Sequence, residues 1–586
     1  MKLFCLLCLI FALSSHSLIA DSPRVRNIIV RGTTAFSDRE ILDIMQTKVG
    51  WYFTEEQLQQ DFENIIAAYE ENGYRFARIE EELLSIKKFP DGVYIRIHID
   101  EGMIGKITVS GNRRTKDYVI IQELLFQVGS VYTWEDELES ERILRRKPYL
   151  GTAEILATRD PETRQVWVQV EVTDLWTFFP ALDLPAFSSS SAGFLLSLSD
   201  SNLLGTGNDA SIRYQLITEA DEASRSLIST GFTVPRLYGS YWNFDGTYTQ
   251  KREGDSWSAT LQHPLYSLKT RWSADFTLSE SIDLVRWYEN GEKTDTFKRS
   301  QNFQSGRVVR TFGGRHQQTQ LALWSVAQRT KFTHIESLAA SDADFQNRNV
   351  RMVGVSVGYR NVDFIRTRFL EQMGRVEDIE LGYALGASIG YASPFYGSDR
   401  VQTSTTVFAN FSQAHRNWLF LNANANVTAR FTKQGLDNSV LTTNVRIFGK
   451  DFLHQTLGAQ LSTVLGFSLD GESQVILGGE NGLRGYDSRA FSGDKLIRFN
   501  IESRKIWWEH SLVVVGSVVF ADVGYVWNGQ GFDFDDPKRS VGIGLRLGFP
   551  KLSGARVYRV DLAYPIDRPD NSQFDPVLTF ATGHVF

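Results

Sequence analysis

The pattern of apolar and polar positions changes near residue 175. Before that point, the segments 24–101 and 102–174 show the same order of signals, about 79 residues apart. In each copy a short apolar strand and a glycine come first, two helical stretches follow, and two strands end the unit. The pattern predicts two α+β domains in tandem, each with the order β-α-α-β-β.

Capping residues and alternation place the elements within each copy. In the first copy, Ser37 and Glu40 have the spacing of a capping box, which starts a short helix. In the second copy we expect helices near 118–126 and 134–146, with the acidic run Glu135, Asp136 and Glu137 forming a solvated face. The last strand of each copy alternates, with apolar side chains at Val93, Ile95, Ile97 and Ile99 and then at Val166, Val168, Val170 and Val172.

From residue 175 the helical periodicity disappears, and segments of about ten residues alternate between apolar and polar side chains. One late segment has Val541, Ile543, Leu545 and Leu547 on one face and Gly542, Gly544 and Arg546 on the other. A soluble sandwich also alternates, but it would rarely need about 400 residues to do so. The pattern therefore predicts an antiparallel transmembrane β-barrel over residues 175–586.

Composition agrees with this choice. The mean hydropathy is −0.22, and no stretch after residue 20 reaches the roughly 18 apolar residues of a spanning helix, which excludes a multi-helix membrane protein. Residues 1–20 are predicted to be a secretory signal, since Lys2 precedes the apolar stretch 3–13 and Ala20 is a small residue at the expected cleavage point. A buried N-terminal strand or helix is the alternative. Cys5 and Cys8 both lie in this segment, so the mature chain would contain no cysteine.

Charge and chemistry narrow the class of function further. Residues 21–174 carry 20 Lys and Arg against 28 Asp and Glu, whereas the remainder is neutral overall, so no basic face is available and nucleic acid is not an expected partner. The nine His are scattered, and no Gly-x-Ser-x-Gly occurs. We therefore expect no enzymatic activity, no cofactor and no metal site.

A glycine-rich segment near the C-terminus has an arginine at its centre. It runs from Gly478 to Tyr486 with four glycines, and Leu483, Arg484, Gly485 and Tyr486 end it. Glycines let a loop pack closely inside a tube, and the arginine, which keeps its charge, needs carboxylate partners there. Glu502 and Asp522 alternate with the apolar residues of their strands, so they should point into the barrel, and they are the expected partners. The alternatives are a solvated arginine and an ordinary inward-facing aspartate.

These features together resemble the Omp85 superfamily. The two repeats resemble POTRA domains, Leu483 to Tyr486 resembles the (V/L)RG(F/Y) signature of a loop that folds into the barrel lumen, and Phe520 to Gly524 resembles the F-x-D-x-G signature whose Asp receives the loop arginine. An early turn containing Asp200, Asn202, Gly205 and Gly207 is similar to the family's D-x-N-L-x-G-x-G turn, and the terminal Phe586 resembles the C-terminal signal for barrel assembly.

The resemblance implies a domain order of signal (1–20), first POTRA domain (24–101), second POTRA domain (102–174) and outer-membrane barrel (175–586), with the POTRA domains in the periplasm. It implies sixteen barrel strands, and we expect that number, although the alternating segments number nearer twenty. The excess would be extracellular hairpins in the stretch 250–350 or an overcount from the pattern. No plug helix precedes the first repeat.

The resemblance also implies a function. An assembly or insertion factor of the BamA/TamA, or surface antigen D15, type would receive unfolded clients on its POTRA strand edges and insert them through a lateral seam in the bilayer, with possible periplasmic or lipoprotein accessory subunits. The expected first strand, about residues 177–187, contains Pro180 and Pro185, which cannot donate to a ladder and would weaken that seam. The prolines could instead mark a linker. The alternative function is a two-partner-type pore that secretes one large exoprotein through the lumen. A passive porin explains neither the repeats nor the arginine loop.

Overall fold

The computed structural model describes residues 23–183, 191–219, 224–252, 254–289, 292–337, 345–452, 455–529, 531–554, 557–567 and 576–585. The predicted signal segment, Pro185 and Phe586 lie outside these ranges. The chain divides into two compact units. The N-terminal unit comprises Met1–Arg113, Ile120–Lys147 and Thr152–Thr173, and the barrel unit comprises Arg114–Val119, Pro148–Gly151 and Asp174–Phe586.

The first repeat forms a sheet with two helices. Its elements are β1 (Val25–Arg31), α1 (Asp38–Ile44), α2 (Glu55–Glu71), β2 (Arg78–Ile79), β3 (Ser85–Phe89) and β4 (Gly92–Asp100). The central strand is β4, which pairs in parallel with β1 and antiparallel with β2 and β3. Ser37 and Glu40 form the predicted capping box at the start of α1. Side chains of α1, α2 and β4, including Ile41, Ile65, Ile95 and Ile97, build one apolar core.

The second repeat has the same order of elements, except that one strand instead of two precedes its last strand. They are β5 (Ile104–Ser110), α3 (Asp117–Ile121), α4 (Trp134–Arg145), β6 (Leu150–Arg159) and β7 (Val166–Asp174), with β7 between β5 and β6. The predicted β-α-α-β-β order is confirmed. Helix α3 is shorter than predicted because the chain tightens at its end, where the backbone N–H groups of Glu123 and Leu124 donate to carbonyls three residues back.

The expectation of a solvated acidic face on α4 was wrong. Asp136 and Glu137 are only 5% and 6% exposed. The Tyr132 hydroxyl donates a hydrogen bond to the Glu137 carboxylate, and burial raises the pKa of Glu137 although that hydrogen bond opposes the rise. The error arises because helical periodicity shows which side chains share a face but not which face is covered.

The barrel unit closes an antiparallel sheet. Its strands are β8 (Phe178–Asp183), β9 (Ser191–Leu203), β10 (Asn208–Glu219), β11 (Arg225–Val234), β12 (Asn243–Lys251), β13 (Ser256–His263), β14 (Trp272–Glu289), β15 (Glu292–Gly313), β16 (Gln317–Ser337), β17 (Arg348–Arg368), β18 (Val376–Ala392), β19 (Gln402–His415), β20 (Leu419–Thr432), β21 (Gly435–Phe452), β22 (Gln455–Phe467), β25 (Lys495–Glu509), β26 (Val514–Trp527), β27 (Lys538–Gly548), β28 (Val557–Pro565) and β29 (Val577–Thr582). A small hairpin, β23 (Val475–Leu477) and β24 (Phe491–Gly493), lies between β22 and β25.

Twenty strands therefore close the barrel in the described part of the chain. This number agrees with the alternating segments in the sequence and exceeds the sixteen strands that the family resemblance implies. Counting segments is the more direct measure, because each strand carries its own two-residue period. Strand β8 covers Phe178–Asp183 of the predicted range 177–187 and includes Pro180, while residues 184–187 lie outside the described residues.

The two faces of the barrel differ as the alternation predicts. On β27, the side chains of Val541, Ile543 and Leu545 are exposed on the outer face, while the side chain of the next residue, Arg546, is buried inside the barrel. No helix among the described residues is long and apolar enough to cross a membrane.

Candidate functional site

The segment between β22 and β25, residues 468–494, turns into the barrel, and we call it the lumen loop. Its hairpin pairs Leu477 of β23 with Phe491 of β24. Leu477, Leu483 and Tyr486 pack with Leu496 of β25 in one buried cluster, and the Tyr486 hydroxyl donates to the Arg539 carbonyl at 2.9 Å. Apolar packing and a hydrogen bond thus hold the loop on both sides of Arg484.

Two glycines next to Arg484 have backbone conformations that other residues rarely adopt. Gly482 has φ of +100°, and a Cβ there would lie 2.6 Å from Arg498 Nη1. Gly485 has φ of +88°, and a Cβ there would lie 3.2 Å from the Pro565 nitrogen. The positive φ values favour glycine at both positions, which explains why glycines flank the arginine in the sequence.

Arg484 lies between the two carboxylates that the sequence predicts. Its Nε and Nη2 donate to the two oxygens of Asp522 at 2.8 and 2.7 Å, and its Nη1 donates to Glu502 Oε1 at 2.7 Å. The Arg484 backbone N–H also donates to Asp522, at 3.2 Å. The guanidinium carbon lies 3.4 Å from the ring centroid of Phe520, and the Arg484 side chain is 1% exposed. A buried, bidentate arginine of this kind fixes both position and orientation of the loop.

Further side chains orient the two carboxylates. Asn500 Nδ2 donates to Asp522 at 2.7 Å and to the Gly482 carbonyl at 2.7 Å, so it links the strand to the loop twice. Arg504 Nε donates to the second oxygen of Glu502 at 2.9 Å. Each carboxylate therefore has partners besides Arg484, which limits the cost of burying it.

Sequence reasoning missed a third carboxylate, Asp561 on β28. Its Oδ2 lies 3.7 Å from Arg484 Nη1, and its Oδ1 accepts a hydrogen bond from Arg546 Nη1 at 2.6 Å. The signal was available, because Asp561 alternates with outward apolar residues and so has inward parity. The alternation pattern does not show which strands lie close to the lumen loop, so it could not indicate that β28 is one of them.

The early turn forms a separate structure between β9 and β10. Asn202 is its centre, since Asn202 Oδ1 accepts from the Gly207 N–H at 2.7 Å and Nδ2 donates to Thr115 of the same unit at 2.8 Å. Asp200 accepts a hydrogen bond from the Asn202 N–H at 3.1 Å. Gly205 has φ of +74°, and a Cβ there would lie 2.0 Å from the Arg114 carbonyl oxygen. The motif residues thus build a tight turn, apart from the Arg484 site.

The ion pairs and hydrogen bonds of the Arg484 site hold the lumen loop in one position. In the described ranges, no group of three or more His, Cys, Asp or Glu side chains could hold a metal ion. Phe586, the predicted assembly signal, falls outside the described residues.

Models of known sequence families match the N-terminal repeats and the C-terminal part of the barrel. The model described as "Surface antigen variable number repeat" (POTRA) matches residues 23–102 and 103–174, and the model described as "Omp85 superfamily domain" matches residues 466–586. The second match contains the whole Arg484 site. 

Individual proteins are more distant. A Treponema pallidum (strain Nichols) protein described as an outer membrane protein assembly factor is 25% identical over 276 residues, which are 45% of this chain and 32% of that protein. The chain therefore spans about a third of the length of this relative. 

Among solved structures, BamA from Haemophilus ducreyi lacking POTRA domains 1–3 is 14% identical with a TM-score of 0.39, and the alignment covers 96% of this chain and 99% of that chain. CdiB from Escherichia coli is 16% identical with a TM-score of 0.48, covering 97% and 91%. Tandem POTRA repeats and a closed barrel that ends in the Omp85 domain identify the chain as a member of the Omp85 superfamily, an outer-membrane protein with its POTRA domains in the periplasm.

Proposed function

We propose that this protein is an outer-membrane assembly factor, which receives unfolded client proteins on its POTRA domains and inserts or translocates them through the barrel and its lateral seam. The activity is not enzymatic, and it needs no cofactor. The single observation that carries the proposal is the seam between β8 and β29, where both described strands are short and β8 contains Pro180. The relative described as an outer membrane protein assembly factor supports it.

In the part of the chain that the structure describes, the seam joins the two shortest barrel strands. Each of β8 and β29 has six residues in the described ranges, whereas β15, β16 and β17 have 21 or 22. Pro180 in β8 has no N–H to donate to a partner strand. Two strands of six residues share fewer backbone hydrogen bonds than two strands of twenty, which favours separation of this pair. An opened edge offers unpaired groups that a client strand can satisfy.

A backbone bridge holds the segment before β8. The Trp176 N–H donates to the Lys551 carbonyl at 2.8 Å, and the Ser553 N–H donates to the Trp176 carbonyl at 2.9 Å. Since β8 starts from the periplasmic side, this bridge secures the periplasmic end of the first strand. We therefore expect the seam to open from its outer end.

The POTRA sheets supply edges for clients. In the second sheet β5 and β6 flank β7, and in the first sheet β1 lies at the edge beside β4. An extended client can add to such an edge through main-chain hydrogen bonds, with little demand on its sequence. Accessory periplasmic or lipoprotein subunits would use the same kind of contact.

A disulfide across the seam tests the proposal, because the mature chain is expected to lack cysteine. Cysteine pairs are introduced between β8 and β29, and the matched control is Leu323→Cys with Val355→Cys, which lie directly opposite on β16 and β17. We expect oxidation to stop client insertion only in the seam-locked protein, and reductant to restore it. Normal insertion by a locked seam would refute the mechanism.

Depletion followed by a census of outer-membrane and secreted proteins separates the two functions. Loss of many barrel proteins is the expected result. Loss of one large exoprotein, with the barrels intact, would instead assign the chain as a two-partner-type secretion pore.

A further inference from the structure

A turn at the periplasmic end of the barrel enters the lumen. Residues 369–375 connect β17 to β18 at the end where β8 begins, because successive strands alternate in direction. Connections of this kind normally lie on the surface. Leu370 and Met373 in this turn are nevertheless each only 4% exposed.

Leu370 packs on one part of the inner wall. It forms a buried cluster with Phe420 of β20 and Phe448 of β21. Phe448 follows the exposed Ile447, so its side chain points inward. Phe420 shares the parity of Asn422, which accepts a hydrogen bond from the neighbouring Arg446 of β21, so it also points inward. The turn therefore contacts the inner surface of β20 and β21, beyond its own strands β17 and β18.

Met373 reaches the far wall. It packs with Val514 of β26 and Val557 of β28, and glycines leave room for it. A Cβ at Gly548 would lie 2.4 Å from Met373 Cβ, and a Cβ at Gly516 would lie 3.3 Å from Met373 Cε. Strand β28 is eight positions from β18 in the sheet order, close to the opposite side of a barrel with twenty strands. The turn thus crosses the lumen.

Polar contacts give the turn one conformation. Glu377 accepts hydrogen bonds from the N–H groups of Leu370 at 3.0 Å and Glu371 at 2.9 Å. Arg446 Nη1 pairs with Glu371 at 3.2 Å on the wall that Leu370 contacts. Gly374, with φ of +88°, lies so close to Pro550 that a Cβ would be 2.6 Å from Pro550 Cγ. These contacts are those of a docked segment and not of a free turn.

Arg504 connects this turn to the lumen loop. Its Nη1 donates to the Leu370 carbonyl at 3.1 Å, while its Nε donates to Glu502 Oε2 at 2.9 Å. The other oxygen of Glu502 accepts from Arg484 Nη1 at 2.7 Å. A continuous series of charge-assisted hydrogen bonds therefore runs from the lumen loop to the periplasmic turn, and its members are nearly fully buried.

We propose that residues 369–375 are a periplasmic plug that closes the barrel lumen, and that Arg504 is a positioning residue that couples release of the plug to release of the lumen loop. Barrels of about 16–18 strands leave an aqueous channel unless something fills them, so a barrel of this width needs such a closure. The inference is independent of which clients the protein handles.

Conductance of the full-length protein in planar lipid bilayers tests the plug. The release variant is Leu370→Gln with Met373→Gln, and the matched control is Tyr238→Gln, which changes a 99% exposed side chain on another turn at the same end. We expect the release variant to raise the open fraction at least tenfold, equivalent to about 1.4 kcal/mol, while the control behaves as wild type. A release variant with native heat-modifiability and wild-type conductance would overturn the proposal.

A cross-link covers the case in which the release variant does not fold. Met373→Cys with Val557→Cys is expected to form a disulfide in native membranes and to abolish residual channel openings, which return on reduction. Failure of this pair to cross-link in a folded barrel would show that the turn is not docked in the lumen, and the proposal would fall.

Arg504→Lys tests the coupling. Lysine keeps the charge beside Glu502 but lacks the planar fork that reaches Glu502 and Leu370 together. We expect more frequent channel openings together with faster labelling of a Ser488→Cys probe in the lumen loop, while heat-modifiability stays native. Openings that increase without any change in the labelling rate would refute the coupling.

Discussion

The interiors of the two units are opposite in chemistry. The N-terminal unit buries Ile41, Ile65 and Ile97, whereas the barrel unit buries Arg484, Glu502 and Asp522 to the same degree. The difference follows from what lies outside. Water surrounds a POTRA domain and drives apolar side chains inward, while lipid takes the apolar side chains of a barrel and leaves the polar ones for the lumen.

The two interiors should therefore respond differently to mutation. In an apolar core, a large-to-small substitution lowers stability roughly in proportion to the cavity volume, because buried apolar groups and their packing contacts are lost. A buried ion network loses far more than one contact when a single charge is removed, since the partners keep their charges in a place that water does not reach.

Arg484→Ala should have the largest effect. The substitution strands Asp522 and Glu502 in the lumen, and breaking a buried pair in this way costs about 3–5 kcal/mol. We expect less folded barrel, measured by heat-modifiability on gels, and higher protease sensitivity of the lumen loop. Arg213→Ala is the matched control, because Arg213 is exposed on β10 and should change stability by less than about 0.5 kcal/mol.

A double substitution sharpens this first prediction. Arg484→Ala with Asp522→Ala removes both members of the closest pair, so the cost should be well below the sum of the two single changes. Strict additivity would contradict the docking role assigned to Arg484.

Ile97→Ala should have a smaller and local effect. Ile97 is fully buried on the central strand β4, and the cavity should cost about 2–5 kcal/mol in the free energy of unfolding of the N-terminal unit. Urea denaturation followed by circular dichroism of the full-length protein measures it, with Ile97→Val, at about 0.5–1.5 kcal/mol, as the graded control. Loss of barrel heat-modifiability in Ile97→Ala would break the distinction between the units.

Glu137→Gln should have the smallest effect and a definite pH dependence. Burial raises the pKa of Glu137, so the folded protein binds its proton more tightly than the unfolded chain does. The stability that this group contributes is complete below its unfolded pKa and is lost as the pH rises through the folded pKa. Because the Tyr132 hydrogen bond offsets part of the cost, Glu137→Gln should gain less than about 1.5 kcal/mol at neutral pH.

The measurement is urea denaturation of the N-terminal unit in the full chain as a function of pH. The wild-type protein should gain stability relative to Glu137→Gln as the pH falls, and Glu162→Gln, at an exposed turn position, should show no such difference. A parallel pH profile for Glu137→Gln and wild type would show that Glu137 does not titrate differently on folding.

The repeats, the alternation and the arginine motif could be predicted from sequence because each has a local signature. Two-residue alternation marks every barrel strand, and inward parity selected Glu502 and Asp522 as neighbours of Arg484. The same reasoning failed for the buried Asp136 and Glu137, because periodicity does not tell which face of a helix is covered. It also did not identify Asp561, although its parity was correct, since parity does not tell which strands face the loop.

The order of elements, the faces of the strands and the need of Arg484 for carboxylates follow from local properties of the chain, namely periodicity and charge. Three features depend on long-range contacts: the closure of the barrel by twenty described strands, the place of Asp561 in the ion network and the contact of residues 369–375 with β26 and β28. These contacts join residues far apart in the chain, and closure of the sheet is what brings them together.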